Sequence, residues 1–166
     1  TGSVDQATDA FTLKLNNEIK KPELEQRFPL FIAEVASDKY YIIPLRGAGL
    51  WNAIWGYIAL KNDKNTIKGA IFDHIGETAG LGAEITQQWF QDRFKEEKVF
   101  DNSGQLVGIN VSKTNNDPND SDKNDHEVDA ISGATITGDG VTAMIYDRLQ
   151  HYLPYFNQEN NTVAVN

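Results

Sequence analysis

Short runs of apolar residues, separated by polar turns, dominate the first half of the chain. The runs LFIAEV (30–35) and KYYIIPL (39–45) are rich in β-branched and aromatic residues and are separated by a short polar turn. The runs AIWGYIAL (53–60) and TIKGAIFD (66–73) flank the turn-forming stretch KNDKN. Apolar runs of this length, joined by turn-forming residues, are typical of β-hairpins. The pattern therefore predicts strands that pair largely in antiparallel fashion.

Later parts of the chain show helical spacing as well. Apolar side chains in residues 83–94 fall near one helical face, and those in residues 140–156 recur at helical spacing until Pro154, which is expected to end the helix. The run QLVGINV (105–111) indicates a further strand, and the mixed polarity before Pro22 is compatible with helix. Together these elements predict the α+β class: a single domain with a mainly antiparallel sheet and packed helices.

The chain divides into one long folded region and two flanking segments. We expect residues 1–28 to be an N-terminal segment that follows a membrane anchor, residues 29–156 to form the domain, and residues 157–166 to be a C-terminal tail. The sequence begins TGSVDQ, without a methionine, as expected of a chain whose upstream part is missing. No run within it approaches the roughly 18 consecutive apolar residues of a membrane helix.

Charge and cysteine content exclude several classes of function. The chain has 15 lysines and arginines against 24 acidic residues, for a net charge of −9. Because a nucleic-acid interface needs a basic surface, this charge argues against a nucleic-acid partner. The chain has no cysteine, which excludes disulfides, zinc–thiolate sites and iron–sulfur clusters held by its own thiolates.

The stretch DAISGATIT (129–137) precedes the predicted C-terminal helix and combines a carboxylate, hydroxyls and a glycine. Gly133 permits a positive φ angle. Ser132, Thr135 and Thr137 lie at the mouth of the helix, where free N–H groups and a partial positive charge can receive a phosphate. Serine and threonine are also ordinary helix N-caps. This stretch alone leaves a capped helix start and a phosphate site equally open.

Two further glycine-containing stretches bear on that choice. In HIGETAGLGAEI (74–85), the glycines let the backbone approach a flat ligand closely, and Thr78 can hydrogen-bond a heteroaromatic edge. In RGAGLWNAIWG (46–56), Leu50 and Trp51 can form an apolar, aromatic wall. The alternatives are a tight glycine-rich connector in the first stretch and ordinary core or edge aromatics in the second.

Taken in their order along the chain, the three stretches resemble the FMN-binding domain of NqrC, the C subunit of sodium-translocating NADH:quinone reductases. The next most similar family is RnfG, the G subunit of Rnf complexes. The resemblance covers roughly residues 29–153. The flavin-attachment motif of that family, D-x-x-[S/T]-G-A-T, is complete at residues 129–135. The GxGLW stretch is matched at residues 47–51, and ETPGLG appears as ETAGLG at residues 77–82, with Ala79 in place of the proline.

The resemblance implies that FMN is held covalently, through a phosphoester on the hydroxyl of Thr135, and is attached by a separate flavin transferase that uses FAD and a divalent metal. It also implies single-electron transfer between redox centres of a sodium-translocating membrane complex, whose other subunits are the partners. The domain would lie on the extracytoplasmic (periplasmic) side of the bacterial inner membrane. The residues implied to hold the cofactor are Thr135, Ser132, Gly133, Ala134, Asp129, Thr78, Glu77, Gly80, Leu81, Gly82, Leu50 and Trp51.

Several alternatives stay open at this stage. The chain could be the RnfG subunit of an Rnf complex or another extracytoplasmic FMN-binding module, or a cofactor-free domain whose loops hold a peptide or a sugar. The acidic residues 115–127 lack the glycine and the register of a calcium loop and indicate a solvated loop. His74 and Glu77 are too few to form a metal site on their own. We therefore expect no metal site and no catalytic acid, base or nucleophile.

Overall fold

The apolar runs of the first half form one antiparallel sheet. The computed structural model describes residues 5 and 7–161, without the side chains of residues 158–161. Four strands lie in the order β1-β2-β3-β4, and each pairs with the next in antiparallel fashion. The predicted α+β class with a mainly antiparallel sheet is confirmed. The strands are β1 (Phe31–Val35), β2 (Asp38–Ala48), β3 (Ala53–Leu60) and β4 (Ile67–His74).

Helices and short turns surround this sheet. Four 3₁₀ turns span Ala10–Thr12, Glu23–Glu25, Gly82–Thr86 and Asp92–Phe94. A short parallel pair joins β5 (Asn110–Val111) to β6 (Glu127–Val128). Within the described residues, no helix has the length and apolar character needed to span a bilayer. The helices are α1 (Leu15–Glu18), α2 (Gln88–Gln91), α3 (Thr135–Gln150) and α4 (Leu153–Asn161).

The core lies between one face of the sheet and α3. Along β3, Ile54 and Ile58 are fully buried while Tyr57 is exposed, which is the alternation expected of a strand with one covered face. The apolar residues of α3 recur at three- and four-residue spacing, so they line the helix face that covers the sheet. That face consists of Val141, Met144, Ile145 and Leu149, all buried.

Two glycines bring α3 into direct contact with the end of β2. A Cβ atom at Gly47 would lie 2.7 Å from Met144 Cβ, and one at Gly140 would overlap the carbonyl oxygen of Ala48. Larger residues at these positions would push the helix away from the strand. The glycines therefore fix the middle of α3 beside the end of β2.

The predicted C-terminal helix, residues 140–156, has different bounds in the structure. The helix α3 begins at Thr135, and a new helix, α4, begins at Leu153. The prediction that Pro154 ends the helix is wrong, because Pro154 lies in the first turn of α4. A proline is tolerated there, since the first N–H groups of a helix have no partner within it.

The helix predicted over residues 83–94 is also interrupted. Gln87 is extended, with φ −77° and ψ 139°, and it separates the 3₁₀ turn Gly82–Thr86 from α2. The side chain of Gln91 donates a hydrogen bond to the Ile85 carbonyl, which compensates for the lost helical bonding. The apolar positions Ile85 and Phe90 are still buried in the core.

The strand predicted over residues 105–111 is limited to β5. Gly108 has a φ angle of +71°, and this left-handed conformation breaks the extended chain just before the strand. On the N-terminal side of β5, Val107 and Gly108 both donate their N–H groups to the carbonyl oxygen of Val99. Of the predicted C-terminal tail, residues 157–161 continue α4, and residues 162–166 lie outside the described residues.

The contact between α3 and β2 predicts a difference between two glycine-to-alanine variants. We expect Gly140→Ala to lower the free energy of unfolding by about 2–3 kcal/mol, because its Cβ meets backbone, although alanine favours helix by about 1 kcal/mol. Gly69→Ala is the control, since no atom lies within 4 Å of its Cβ position. Urea unfolding of both variants checks this, and an equal effect would show that the close approach of α3 to β2 is not a constraint.

Candidate functional site

The three glycine-containing stretches meet at one end of the strands of the sheet. Because β2, β3 and β4 are antiparallel neighbours, the β2–β3 loop and the C-terminus of β4 lie at the same end of the sheet. The first turns of α3 reach this end through the contact of Gly140 with Ala48. Residues 49–52, 75–82 and 133–137 are thus close in space although they are far apart in the sequence.

The carboxylate of Glu77 binds these stretches to one another. Its Oε1 accepts hydrogen bonds from the N–H groups of Trp51, at 2.9 Å, and Asn52, at 3.4 Å. Its Oε2 accepts one from the N–H of Leu50, at 3.2 Å, and one from the hydroxyl of Thr137, at 2.5 Å. Glu77 is 7% exposed, so these donors replace the water that its charge has lost.

The protonation of Glu77 follows from these contacts. Burial raises the pKa of the carboxyl, but the hydrogen bonds from Thr137 and from the N–H groups of Trp51, Leu50 and Asn52 lower it by more. The net result is a pKa below the usual value for glutamate, so Glu77 is an anion at neutral pH. Its lone pairs are used within the protein, and its N–H donates to Nδ1 of His74 at 3.2 Å. These contacts give His74 and Glu77 a structural role in the loop.

Glycine is required on both sides of this carboxylate. A Cβ atom at Gly49 would lie 2.7 Å from Glu77 Oε1, and one at Gly82 would lie 2.7 Å from Glu77 Oε2 and would overlap the Thr137 hydroxyl. Gly133, with a φ angle of +74°, lies opposite Leu81, whose Cδ2 is 2.8 Å from the Cβ position. Gly49 and Gly82 therefore allow the backbone to approach Glu77 closely, and Gly133 allows it to approach Leu81.

A cavity of about 230 Å³ opens between these loops and the helix. Among the described residues that line it, Glu77 is the only ionisable one, and the rest are small, hydroxyl-bearing or apolar. The apolar ones, Leu50, Leu81 and Ile136, are 44%, 39% and 58% exposed. The lining residues are Leu50, Glu77, Thr78, Leu81, Gly82, Gly133, Ala134, Thr135, Ile136 and Thr137.

The N-terminus of α3 forms one wall of the cavity and has no side-chain cap. Ala134 is the N-cap residue, and the first helical bond runs from the Gly138 N–H to the Ala134 carbonyl, at 2.9 Å. Among the described residues, none accepts a hydrogen bond from the N–H groups of Thr135, Ile136 or Thr137. Free N–H groups at the positive end of a helix dipole are a ready site for an anion.

Thr135 is the first residue of α3 and is exposed at the cavity. Its hydroxyl has no hydrogen-bond partner within the described part of the chain. By contrast, the hydroxyl of Thr137 is buried and is used by Glu77. The two threonines therefore differ in availability: Thr135 can react with or bind a ligand, and Thr137 holds the loop.

Four of the residues implied by the resemblance lie outside the lining. Trp51 is 67% exposed at the rim, and its indole N–H donates to the Thr78 hydroxyl at 3.1 Å. Gly80 and Ser132 are exposed in the adjoining turns. The Asp129 carboxylate is buried and accepts the N–H of Asp117, at 3.3 Å, so it tethers the acidic loop to the start of the motif.

The sequence analysis placed Thr137 at the mouth of the helix, but it missed the hydrogen bond from Thr137 to Glu77 and the cavity-lining role of Ile136. A helix predicted to begin at residue 140 leaves both positions in the preceding turn. Thr137 lies four residues before the buried Val141, and a helix that starts at Thr135 places the two on the same face. A threonine in the buried stripe of a helix is the signal for a polar partner in the core.

Arg93 is a further residue that the sequence did not single out. Its Nη1 donates to the carbonyl oxygens of Asp129, at 2.6 Å, and Ala130, at 2.9 Å, and its guanidinium lies 4.8 Å from the ring centre of Trp89. The arginine thus holds the chain that leads into the Gly133 turn. Its partners are backbone carbonyls, which no sequence pattern reveals.

Comparison with known proteins identifies relatives of this chain. The family model of the FMN-binding domain matches residues 49–150. The C subunit of the Na⁺-translocating NADH-quinone reductase of Neisseria meningitidis serogroup A is 40% identical over 119 residues, which cover 70% of this chain and 44% of that protein. The corresponding subunit of Chlamydia muridarum is 41% identical over 123 residues, covering 68% of this chain and 39% of that protein. The chain therefore spans less than half the length of these relatives.

Two crystal structures of related proteins have the same fold as this chain. The crystal structure of the C subunit of the Na⁺-translocating NADH-quinone reductase from Parabacteroides distasonis matches with a TM-score of 0.78 and 42% identity, covering 90% of this chain and 70% of that one. Shewanella oneidensis NqrC matches with a TM-score of 0.66 and 31% identity, covering 82% and 64%. The resemblance inferred from the three motifs is confirmed.

The hydrogen bonds of Glu77 predict a pH-dependent loss of stability in Glu77→Gln. An amide offers one acceptor oxygen and turns an NH₂ group toward donors, so we expect a loss of about 2–4 kcal/mol at pH 7, measured by urea unfolding. The pKa of Glu77 in the folded protein lies below the usual glutamate pKa. The greater stability of the wild type over Glu77→Gln is therefore complete at pH values above the usual glutamate pKa, and it disappears as the pH falls through the lowered pKa.

The control for this prediction is Glu84→Gln in the same loop. Glu84 accepts one exposed hydrogen bond, from the Gly80 N–H at 3.2 Å, so its loss should cost less than about 1 kcal/mol. An advantage of Glu77 over glutamine that stayed constant from neutral to strongly acidic pH would contradict the role of its charge.

Proposed function

The chain belongs to the FMN-binding domain family, and from this membership we propose that it holds FMN at the N-terminus of α3, with the phosphate esterified to Thr135. The observation that carries the proposal is the exposed, unpartnered hydroxyl of Thr135 beside helix N–H groups that are free among the described residues, at the edge of a cavity. The uncapped N-terminus favours a phosphate site over the alternative of an ordinary capped helix start.

The charges around Thr135 suit a phosphodiester. The N–H groups of Thr135, Ile136 and Thr137 supply donors and the positive end of the α3 dipole. Glu77, the nearby anion, has its charge compensated by four donors of its own. Since no base hydrogen-bonds to the Thr135 hydroxyl among the described residues, attachment by a separate flavin transferase fits the site better than self-catalysed attachment.

The apolar walls suit a flat ring. Leu50 and Leu81 are partly exposed on opposite loops, and Trp51 stands at the rim with its indole fixed by Thr78. The volume of about 230 Å³ is smaller than the roughly 300–1,000 Å³ of pockets that enclose drug-sized ligands. The cavity would therefore cover part of the flavin and leave the remainder open to other molecules, and a covalent bond would retain the cofactor.

The proposed role is electron transfer. Bound FMN supplies reversible one-electron chemistry, while the protein supplies orientation, electrostatics and access. Among the described lining residues, the one ionisable group, Glu77, is fully engaged within the protein, so no acid–base pair is available for substrate chemistry. An electron carrier needs no such pair.

We place this domain, residues 29–156, in the NqrC subunit of a Na⁺-translocating NADH:quinone reductase. It would pass single electrons between redox centres of the membrane complex, on the periplasmic side, with residues 1–28 leading from a membrane anchor. The relatives reported above are NqrC subunits, which favours this assignment over the RnfG subunit of an Rnf complex.

The attachment site is tested by intact-mass measurement after co-expression with a flavin transferase. The wild-type chain is expected to gain the mass of one FMN minus one water, and Thr135→Val to gain nothing, because valine matches the shape of threonine but has no hydroxyl. Thr135→Ser keeps a hydroxyl at the same place and should retain the adduct. Peptide mapping of the modified chain should locate the adduct at residue 135.

The stability of the three proteins serves as the control. Thr135 is exposed, so both substitutions should change the free energy of unfolding by less than about 0.5 kcal/mol. A full adduct on the folded Thr135→Val protein, or an adduct mapped elsewhere, would reject the assignment. A wild-type chain that stayed unmodified while a known substrate of the same transferase was modified would reject covalent attachment altogether.

A further inference from the structure

An acidic cluster lies apart from the cavity, where the acidic loop covers the segment that follows α2. It consists of Glu97, Asp120 and Asp125, and one carboxylate oxygen of each lies within 4.8 Å of those of the other two. None of the three lines the cavity at α3. Glu97 lies 23 residues before Asp120 and outside the acidic loop, so the loop alone did not reveal the cluster.

Glu97 distinguishes this cluster from an ordinary group of surface acids. Its side chain is fully buried, and neither oxygen accepts a hydrogen bond from the described residues. Its nearest opposite charge is Nζ of Lys123, 3.1 Å from Oε1, without the alignment of a hydrogen bond. A buried carboxylate that lacks donors is unfavourable unless a cation compensates it.

Lys123 shows where that cation would lie. Its ammonium contacts Oδ2 of Asp120, Oε1 of Glu97 and the carbonyl oxygen of Arg93, which is 3.1 Å away. Oxygens from two separate segments of the chain, residues 93–97 and Asp120, thus surround one positive charge. The single charge of Lys123 faces three carboxyl groups, counting Asp125, and burial raises the pKa of Glu97 to about 8. When all three are ionised the cluster carries more negative than positive charge, and a bound cation would favour that ionised form.

We propose that Glu97, Asp120 and Asp125 form a calcium site, in which Ca²⁺ displaces the ammonium of Lys123. Carboxylate and carbonyl oxygens are the ligands that Ca²⁺ prefers, and water can complete its flexible coordination of six to eight oxygens. Mg²⁺ demands a near-ideal octahedron and fits an irregular, carboxylate-rich loop less well. The side chain of Lys123 is 29% exposed and can turn toward solvent when the metal enters.

The expected consequence is a loop fixed to the core. Asp120 and Asp125 belong to the loop, whereas Glu97 follows the 3₁₀ turn Asp92–Phe94 and its backbone is hydrogen-bonded to Ile67 at the start of β4. A metal bound by all three would link the loop to the sheet. The site does not depend on FMN, so it can be tested on flavin-free protein.

The test is calcium titration of the whole flavin-free chain at constant ionic strength, followed by calorimetry and thermal unfolding. We expect a Kd of about 10⁻⁴–10⁻³ M, the range of weak extracellular calcium modules. The midpoint of thermal unfolding should rise by about 3–6 °C at a calcium concentration of about ten times Kd. Mg²⁺ at the same concentration should give a smaller rise.

Variants distinguish a built site from diffuse charge. Glu97→Gln and Asp125→Asn should each weaken calcium binding at least tenfold, and Lys123→Met should strengthen it, because the competing ammonium is removed. Asp122→Asn is the matched control: it removes the same charge from the same loop but lies outside the cluster, and it should bind like wild type.

Two outcomes would overturn the proposal. One is a wild-type chain that neither binds Ca²⁺ nor gains thermal stability up to about 10 mM, well above the expected Kd; Glu97 is then compensated by Lys123 or by a proton alone. The other is an equal calcium response in Asp125→Asn and Asp122→Asn, which would indicate non-specific binding to the acidic loop. Asp125 is exposed, so this comparison remains available even if Glu97→Gln fails to fold.

Discussion

The Glu77 carboxylate connects three pieces of chain that no local interaction could hold together. It accepts hydrogen bonds from the backbone of the β2–β3 loop, it belongs to the loop after β4, and it binds the Thr137 hydroxyl in the first turn of α3. A charged acceptor inside the protein makes each of these bonds stronger than a bond between neutral groups. Because the donors also replace lost water, the burial of the charge and the assembly of the loops depend on each other.

The glycines of the site follow from this arrangement. Gly49 and Gly82 lie where a Cβ would meet the Glu77 oxygens, and Gly140 lies where a Cβ would meet the Ala48 carbonyl. The second glycine of GxGLW, Gly49, and the second glycine of ETxGLG, Gly82, thus reflect how the backbone packs around a buried anion. They give a structural reason for glycine that holds whether or not a ligand is present. The motifs accordingly carry information about the scaffold as well as about the cofactor.

Much of this architecture could be predicted from the sequence, since strands of alternating polarity and a four-residue helical stripe depend on local spacing. Sequence-based prediction failed where contacts between distant parts of the chain determine the start of a helix or the burial of a side chain. The start of α3 at Thr135 depends on the Gly133 turn, which Arg93 holds through backbone carbonyls. The buried Glu97 looks like a surface acid in the sequence, because the residues that surround its carboxyl group, Asp120 and Lys123, lie 23 and 26 residues further along the chain.

The shallow cavity and the proposed covalent anchor would be complementary solutions to one physical problem. A carrier that exchanges electrons with several centres must keep its cofactor near the surface, and a surface cavity buries too little apolar area to bind a small molecule tightly. A bond to Thr135 would make the contact between ring and cavity intramolecular, with an effective concentration on the order of millimolar or higher. Weak contacts with Leu50 and Leu81 would then suffice to orient the ring. The rigidity supplied by Glu77 matters for the same reason, because a tether holds the cofactor in place but only a fixed cavity determines which way it faces.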